Sequence, residues 1–253
     1  MKHIFISLLL VLSINLNAQN NFKTIHVLVA LCDNQYQGIV KVPPKIGNGQ
    51  NAATNLYWGA GYGIKTYFTK SKEWKLIQTF KPNGIILERL VFKHVTQNYY
   101  LIADAYNGKN IKECTVVFLN SLAGIFKTKI TVDNVEIGAN GNASLVAYIG
   151  HDGLMDFELP NTFKNTDNIK RDCIALACVS KAYFEPYIKN ANANPLLLTN
   201  SLMCPEAYSL HDALTGYVLN ESNLKIRNRA ALAYAKYQKC SFKSINYIFA
   251  TGW

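Results

Sequence analysis

The sequence contains no apolar run long enough to cross a membrane once its first 18 residues are set aside. A transmembrane helix needs about 18 or more consecutive, mainly apolar residues, and no later segment reaches that length. Internal repeats and low-complexity tracts are also missing. These absences argue against a membrane-embedded protein, a repeat protein and a disordered chain. The hydrophobic content of 49% instead predicts a single α/β domain with a large core over residues 19–253.

The first residues have the organisation of a secretory signal peptide. Lys2 and His3 precede a short apolar stretch, Ile4 to Leu12, and Ala18 is a small residue suited to cleavage. No cysteine stands at this cleavage point, which argues against a lipid anchor. We therefore expect a signal peptide over residues 1–18 and export to the periplasm or out of the cell, in a bacterial envelope.

Acidic residues are scarce: the chain has 16 Asp and Glu against 26 Lys and Arg, for a formal net charge of +10. In an exported protein this excess favours anionic envelope polymers or acidic proteins as partners, and we expect no nucleic-acid partner. A solvated basic surface is the simpler alternative. The sequence does not predict an oligomeric state.

Motifs for metals and phosphates are also missing. No spacing of His, Cys and acidic residues predicts a zinc site. The segment Gly59–Gly63 lacks the Lys-Ser/Thr ending of a phosphate-binding loop. We therefore expect no cofactor and no metal. The six cysteines would permit disulfides in an exported protein, but a chain of this size does not need them, so we expect mostly buried, free thiols.

Hydrophobic patterns along the chain alternate between strands and helices, which predicts a mainly parallel sheet with helices on both faces. Strands are expected at 24–31, 99–103, 144–150, 173–177, 195–199 and 245–250, with a hairpin at 129–137. Helices are expected at 55–68, 111–122, 182–189, 209–219 and 222–239, and segments 74–80 and 85–94 are amphipathic elements of undecided type. We expect His26 in the core and His94 at the surface.

Two of these strands end at residues that can carry out chemistry. The strand at 144–150 stops at His151, and the strand at 173–177 stops at Cys178. Continuous apolar runs are typical of strands buried on both faces in parallel sheets, and ligands bind just beyond the carboxyl ends of such strands. An imidazole beside a thiol is the minimum requirement for thiolate catalysis.

The proposed roles are Cys178 as nucleophile and His151 as general base and then general acid. Gly153 would expose a backbone N–H for an oxyanion hole. A helix that begins near Ser180 would lower the pKa of the Cys178 thiol through its positive end. Cys32 and Cys204 also lie at strand ends and are alternative thiols, although a role in the core or at its rim is the simpler interpretation.

The residues around the pair resemble the signature of the caspase-like cysteine peptidases of clan CD. That signature is an apolar strand ending in His-Gly, followed by an apolar strand ending in Cys-x-Ser or Cys-x-Gly. Here the corresponding stretches are Ala147-Tyr-Ile-Gly-His-Asp-Gly153 and Ala175-Leu-Ala-Cys-Val-Ser-Lys-Ala-Tyr-Phe184. The likeness is closest to legumain, through Tyr106-Asn-Gly108 and Phe184. The Pro-Leu-Leu-Leu-Thr strand that ends at Thr199 is similar to those of bacterial caspase-like domains.

The resemblance implies a caspase-like α/β sandwich, a His–Cys dyad and an oxyanion hole formed by the backbone N–H groups of Gly153 and Cys178. It also implies cleavage of a peptide or protein substrate after a particular side chain, with Glu206 and Asp212 as guesses for the specificity pocket. Asp152 departs from the family pattern, which has Gly after the histidine. The chain is thus expected to be an exported cysteine endopeptidase, with two alternatives: a catalytically inactive binding protein of the same fold, or a thiol amidase acting on cell-wall peptides.

Overall fold

The computed structural model describes residues 22–253, so the expected signal peptide at 1–18 lies outside the described residues. The strands are, in chain order, β1 Lys23–Ala30, β2 Trp74–Phe80, β3 Ile86–His94, β4 Tyr99–Tyr106, β5 Lys127–Val132, β6 Val135–Asn140, β7 Leu145–Ile149, β8 Asp172–Leu176, β9 Asn194–Thr199 and β10 Phe249–Ala250. The α-helices are α1 Ile64–Thr69, α2 Ile111–Leu122, α3 Ser180–Asn190, α4 Ala207–Val218, α5 Asn223–Gln238 and α6 Phe242–Ile245.

Within residues 22–253, eight strands form one sheet in the order β10-β9-β8-β7-β1-β4-β3-β2, and β5 and β6 form a separate hairpin. The central strands β9, β8, β7, β1 and β4 run parallel, whereas β10, β3 and β2 pair antiparallel at the two sides. All five residues of β7 are buried, as expected for a strand covered on both faces. The prediction of an α/β fold with a mostly parallel sheet is therefore confirmed.

Helices cover both faces of the sheet, because alternate side chains of each strand point to opposite sides. On β1, Val27 and Val29 belong to the core shared with α1, α4 and α5. Leu28 and Ala30 belong to the core shared with α2 and α3. The two cores meet only through the sheet, so the strand ends are held rigidly from both sides.

The expected helix at 55–68 is wrong over most of its length, since only Ile64–Thr69 is helical. The preceding residues fold as successive turns. A Cβ atom on Gly59 would lie 2.1 Å from the Ala53 carbonyl oxygen, so this glycine serves a close backbone contact. Asn55 secures the turns to the sheet: its side chain donates to Cys32 O at 2.8 Å and accepts from Cys32 N at 3.1 Å.

The segments of undecided type are strands, β2 and β3, whose antiparallel pairing contains a register shift between Leu76 and Gln78. The expected strand at 245–250 shortens to Phe249–Ala250, because α6 extends to Ile245 and residues 246–248 form a turn. The Ser241 side chain caps the start of α6. The surface position expected for His94 is also wrong. His94 is buried, its Nδ1 accepts from the Gln97 N–H at 3.0 Å, and its ring packs edge-on against Trp74.

His26 lies in the core, as expected, within a buried polar cluster that joins the hairpin to the sheet. Its Nδ1 accepts from the Asn140 N–H at 2.8 Å, and its Nε2 lies 3.1 Å from Asp104 Oδ2. Since Nδ1 accepts, the ring proton sits on Nε2 and donates to Asp104. Arg89 completes the cluster with two bonds to the same carboxylate at 2.6 and 2.7 Å.

The Asp104 carboxylate accepts the hydrogen bonds of both His26 and Arg89 and balances the positive charge of Arg89. It is fully buried, and burial alone would raise its pKa, but the hydrogen bonds from Arg89 and His26 outweigh this and hold its pKa below the ordinary value. Its contribution to stability is therefore fully present above the unfolded-state pKa of an aspartate and is lost as the pH falls through the folded-state pKa.

We predict that Asp104→Ala lowers the free energy of unfolding by about 3–5 kcal/mol at neutral pH, because it leaves Arg89 and His26 without their buried partner. Urea denaturation measures the change. Glu136→Gln is the matched control, since it removes a carboxylate from an exposed pair with Lys129 and should cost less than about 1 kcal/mol. Equal losses in the two variants would contradict the assignment of Asp104 as a stabilising centre.

Candidate functional site

The candidate site lies where β7 and β8 leave the sheet. The two strands pair in parallel, with Ile149 opposite Leu176, so the chain that follows each strand emerges at the same edge. His151 and Cys178 consequently line one cavity of about 490 Å³. The other residues lining this cavity are Gly38, Ile39, Val40, Val42, Leu56, Tyr57, Gly150, Met155, Leu202, Met203, Cys204 and Pro205.

His151 is held by bonds to its backbone and to its ring. The Tyr148 hydroxyl donates to the His151 carbonyl oxygen at 2.7 Å. His151 Nε2 lies 2.8 Å from Asp156 Oδ2, and the Gly38 N–H donates to the same oxygen at 2.9 Å. Asp156 therefore orients the imidazole and also ties the loop after β1 to the site. A side chain at residue 38 would collide with this carboxylate, since a Cβ atom there would lie 2.3 Å from Asp156 Oδ1.

Sequence reasoning missed Asp156. The signal available was the spacing, with a carboxylate five residues after the histidine in a segment bounded by Gly153 and Pro160. The intervening short 3₁₀ helix, Gly153–Met155, turns the chain back so that Asp156 reaches the ring. A carboxylate on the nitrogen remote from the reacting group is the usual way to orient a catalytic imidazole.

Cys178 sits in a tight turn between β8 and α3. Its Sγ lies 3.5 Å from Met203 O and 3.5 Å from Met203 N, so it bonds the backbone that follows β9. The next residue, Val179, has φ of 51°, a strained conformation for a β-branched residue. A bond from its N–H to Ser201 O at 3.0 Å holds this turn in place.

The surroundings of Cys178 raise the pKa of its thiol above the ordinary value. Burial raises its pKa, the Met203 backbone bond lowers it, and the nearby Asp152 raises it again, with a net increase. Helix α3 begins at Ser180, as expected. The predicted lowering of the thiol pKa by this helix end is overridden, because desolvation of a half-buried thiol disfavours the thiolate.

Asp152 is fully buried beside this pair. Its Oδ1 accepts from the Leu154 N–H at 3.0 Å, and its Oδ2 has no hydrogen-bond partner in the described part of the chain. Burial raises the pKa of Asp152 to about 7. This carboxyl group thus changes charge near neutral pH, at a point where it acts on the Cys178 thiol.

Gly153 and Ser180, two of the expected supporting residues, are both buried. Gly153 is buried against the Phe157 ring, and Ser180 is also buried, where its Oγ donates to Ala175 O at 2.6 Å. Neither residue lines the cavity. Within residues 22–253, the N–H groups of Gly153 and Cys178 have no backbone acceptor, and of these two residues only Cys178 lines the cavity.

The guessed pocket residues do not line the cavity either. Glu206 accepts from the Tyr208 hydroxyl at 3.1 Å, and Asp212 pairs with His211 on α4. Of the two alternative thiols, Cys204 lies at the cavity and Cys32 lies in the core. Cys204 lines the cavity, and burial raises its pKa to about 12. Cys32 is fully buried, and burial raises its pKa to about 11.

The chain matches no protein-family model, no curated protein and no solved structure. In residues 22–253, no helix combines the length and apolarity needed to cross a membrane. Over the same range, no group of three or more His, Cys, Asp or Glu side chains is arranged to hold a metal ion. All six cysteines are free thiols, of which Cys32, Cys114 and Cys173 are buried and Cys240 is exposed.

We predict that Asp152→Asn lowers the pKa of Cys178, because it removes a negative charge that opposes formation of the thiolate. Alkylation of Cys178 by iodoacetamide, mapped by mass spectrometry, should become severalfold faster, and the gain should grow as the pH rises through about 7, where Asp152 ionises. Glu158→Gln, an exposed neighbour, should leave the rate unchanged. An unaltered rate in Asp152→Asn would show that this carboxylate does not act on the thiol.

Proposed function

We propose that the protein is a cysteine endopeptidase of the caspase and legumain type. In this proposal its fold is the caspase-like sandwich, and it acts in the periplasm or outside the cell. The observation that carries the proposal is the arrangement at adjacent strand ends. Cys178 and His151 open into one cavity, and Asp156 orients the imidazole at 2.8 Å. A nucleophile, a base and a group that orients the base are the parts required for covalent acyl transfer.

The proposed reaction follows from these parts. Cys178 loses its proton to His151, and the thiolate attacks the scissile carbonyl carbon. The tetrahedral oxyanion accepts hydrogen bonds from the unpaired N–H groups of Cys178 and Gly153. His151 returns the proton to the leaving amine as the C–N bond breaks. Water, deprotonated by His151, then hydrolyses the thioester and releases the thiol.

The cavity walls support a preference for an uncharged side chain before the cleaved bond. Ile39, Val42, Leu56 and Met203 contribute apolar surface, and among the described residues no Lys, Arg or Glu lines this cavity. A buried charge on the substrate would find no partner there, and an unpaired buried charge is costly. Substrates with an aliphatic or aromatic residue at this position therefore suit the site best.

A second candidate function is peptide binding without cleavage. Asp152 stands where the caspase-like pattern has glycine, and both its charge and the burial of Cys178 favour the neutral thiol over the thiolate. A thiol that stays protonated attacks carbonyls slowly. The same cavity would then hold an apolar peptide side chain and leave the bond intact.

We predict that the protein cleaves peptides from a library with apolar residues before the bond, and that Cys178→Ala abolishes cleavage. His151→Ala should reduce the rate by about 10²–10⁴-fold, the usual contribution of a general base. Product formation is measured by mass spectrometry. Cys240→Ala, which removes an exposed thiol distant in sequence from the site, should leave the rate unchanged.

The outcomes separate the candidates. Cleavage that survives Cys178→Ala would move the nucleophile elsewhere. Binding of the same peptides by the unsubstituted protein and by Cys178→Ala, with no products from either, would favour the binding function. Release of products from peptidoglycan fragments but not from the peptide library would favour the thiol amidase.

A further inference from the structure

A second cavity, of about 450 Å³, lies where the turn after α1 meets α4 and α5. It shares no lining residue with the cavity of Cys178. The residues lining this second cavity are Gly61, Tyr62, Tyr67, Lys70, Ser71, Lys72, Glu73, His211 and Tyr237. Nothing in the proposed peptidase reaction uses any of these side chains.

A hydroxyl, an imidazole and a carboxylate form a continuous chain of hydrogen bonds at this cavity. Ser71 Oγ lies 2.8 Å from His211 Nε2, and His211 Nδ1 lies 3.0 Å from Asp212 Oδ1. The Glu73 N–H donates to the Ser71 oxygen at 3.0 Å and fixes the position of this hydroxyl. A nucleophile bonded to a base that is oriented by an acid is the arrangement that defines a serine-hydrolase triad, whatever its order in the sequence.

The tautomer of His211 follows from its partners. A carboxylate accepts hydrogen bonds and donates none, so the Nδ1 atom that faces Asp212 carries the ring proton. Nε2 then has a free lone pair and accepts the Ser71 hydroxyl. This is the orientation in which the imidazole removes the serine proton rather than competing for it.

The surroundings hold the ring in this orientation. The rings of Tyr67 and Phe68 pack against His211 with centroids 5.3 Å away in each case, and its side chain is only 13% exposed. Glu73 Oε2 lies 3.9 Å from Nε2 and would stabilise the imidazolium that forms during proton transfer. The Thr215 hydroxyl donates to Glu73 at 2.7 Å and fixes this second carboxylate.

The walls of the cavity indicate a class of substrate. Tyr62, Tyr67 and Tyr237 present aromatic rings, with Tyr67 and Tyr237 joined through their hydroxyls at 3.0 Å. Lys70 and Lys72 flank Ser71 and are exposed. Aromatic walls suit a flat or ring-shaped group, and two ammonium groups at the rim suit a negative charge.

We propose that Ser71 and His211 form a second catalytic site that hydrolyses esters of ring-bearing anionic compounds, with Asp212 as a positioning residue. Ser71 Oγ attacks the ester carbonyl carbon while its proton passes to His211 Nε2. The bond to the alcohol then breaks, and His211 protonates the leaving oxygen. Water gives a proton to His211 and attacks the acyl-serine, after which the acid leaves and Ser71 regains its proton. The backbone N–H of Lys72, adjacent in sequence to the nucleophile, is the proposed donor to the oxyanion.

The test uses the full chain carrying Cys178→Ala, so that the thiol contributes nothing. A fluorophosphonate probe should phosphonylate Ser71, identified by mass spectrometry, and the protein should hydrolyse para-acetoxybenzoate. His211→Gln should slow both reactions by about 10²–10⁴-fold. Ser244→Ala, which removes an exposed hydroxyl on α6, should leave both rates unchanged.

Two results would overturn the proposal: absence of label from Ser71 in the otherwise unsubstituted chain, and hydrolysis that persists in Ser71→Ala. The labelling result holds even if a His211 or Ser71 variant fails to fold, since it needs neither. Methyl para-acetoxybenzoate, which carries no negative charge, should be a poorer substrate than para-acetoxybenzoate. The double substitution Lys70→Gln and Lys72→Gln should remove this difference in rate. A preference that survives both lysine substitutions would overturn the assignment of an anionic substrate.

The role of Asp212 has its own spectroscopic test. In Asp212→Asn, the amide N–H₂ donates to Nδ1 and moves the ring proton of His211 to Nε2. Nitrogen NMR of the imidazole should report this exchange of tautomers, together with loss of Ser71 labelling. A variant that loses labelling but keeps its proton on Nδ1 would contradict the positioning role.

Discussion

The parallel hydrogen-bonded register between β1, β7 and β8 is the constraint on which the rest of the molecule depends. Val29 lies opposite Ile149, and Ile149 lies opposite Leu176, so three strands end together. Both faces of these strands are covered by helices, which leaves this edge as the place where polar side chains reach solvent without disturbing the core. That register brings His151 and Cys178 to the same edge of the sheet.

The loop after β1 also contacts the edge of the sheet where β7 and β8 end. Asn55 bonds the backbone of Cys32 twice, and the Gly38 N–H bonds Asp156 at the far side. The loop therefore spans from the end of β1 to the residue that orients His151. Hydrogen bonds therefore join the loop, the Asp156 carboxylate and the His151 imidazole, while Gly38 and Asp156 stay exposed to solvent.

The sequence predicted those parts of the fold that rest on local patterns. Apolar runs identified β7 and β8, and the His and Cys at their ends were found because parallel strands share an edge. The turns before α1 were not predicted, since they depend on the bonds of Asn55 to the distant Cys32 backbone and on a close backbone contact at Gly59. His94 was misplaced for the same reason: its burial depends on Trp74, which only the pairing of β2 and β3 brings close. Asp156 was missed because a turn brings it back to His151. The Ser71–His211 pair was missed because the two residues lie 140 positions apart in the sequence.

The balance between thiol and thiolate at Cys178 decides what the main site does. In the free protein, burial and Asp152 both favour the thiol, and only the Met203 N–H favours the thiolate.

A bound peptide would alter the balance between thiol and thiolate in two opposite ways. It excludes water, which disfavours the charge further, but it also supplies a carbonyl whose developing oxyanion draws on the free N–H groups of Cys178 and Gly153. Because the pKa of Asp152 is about 7, loss of its charge below that pH removes one of the two obstacles. A mildly acidic medium therefore weakens the opposition of Asp152 to the thiolate. The charge of Asp152 thus bears on both candidate functions, because a cysteine peptidase needs the thiolate that this charge opposes, whereas a peptide-binding protein does not.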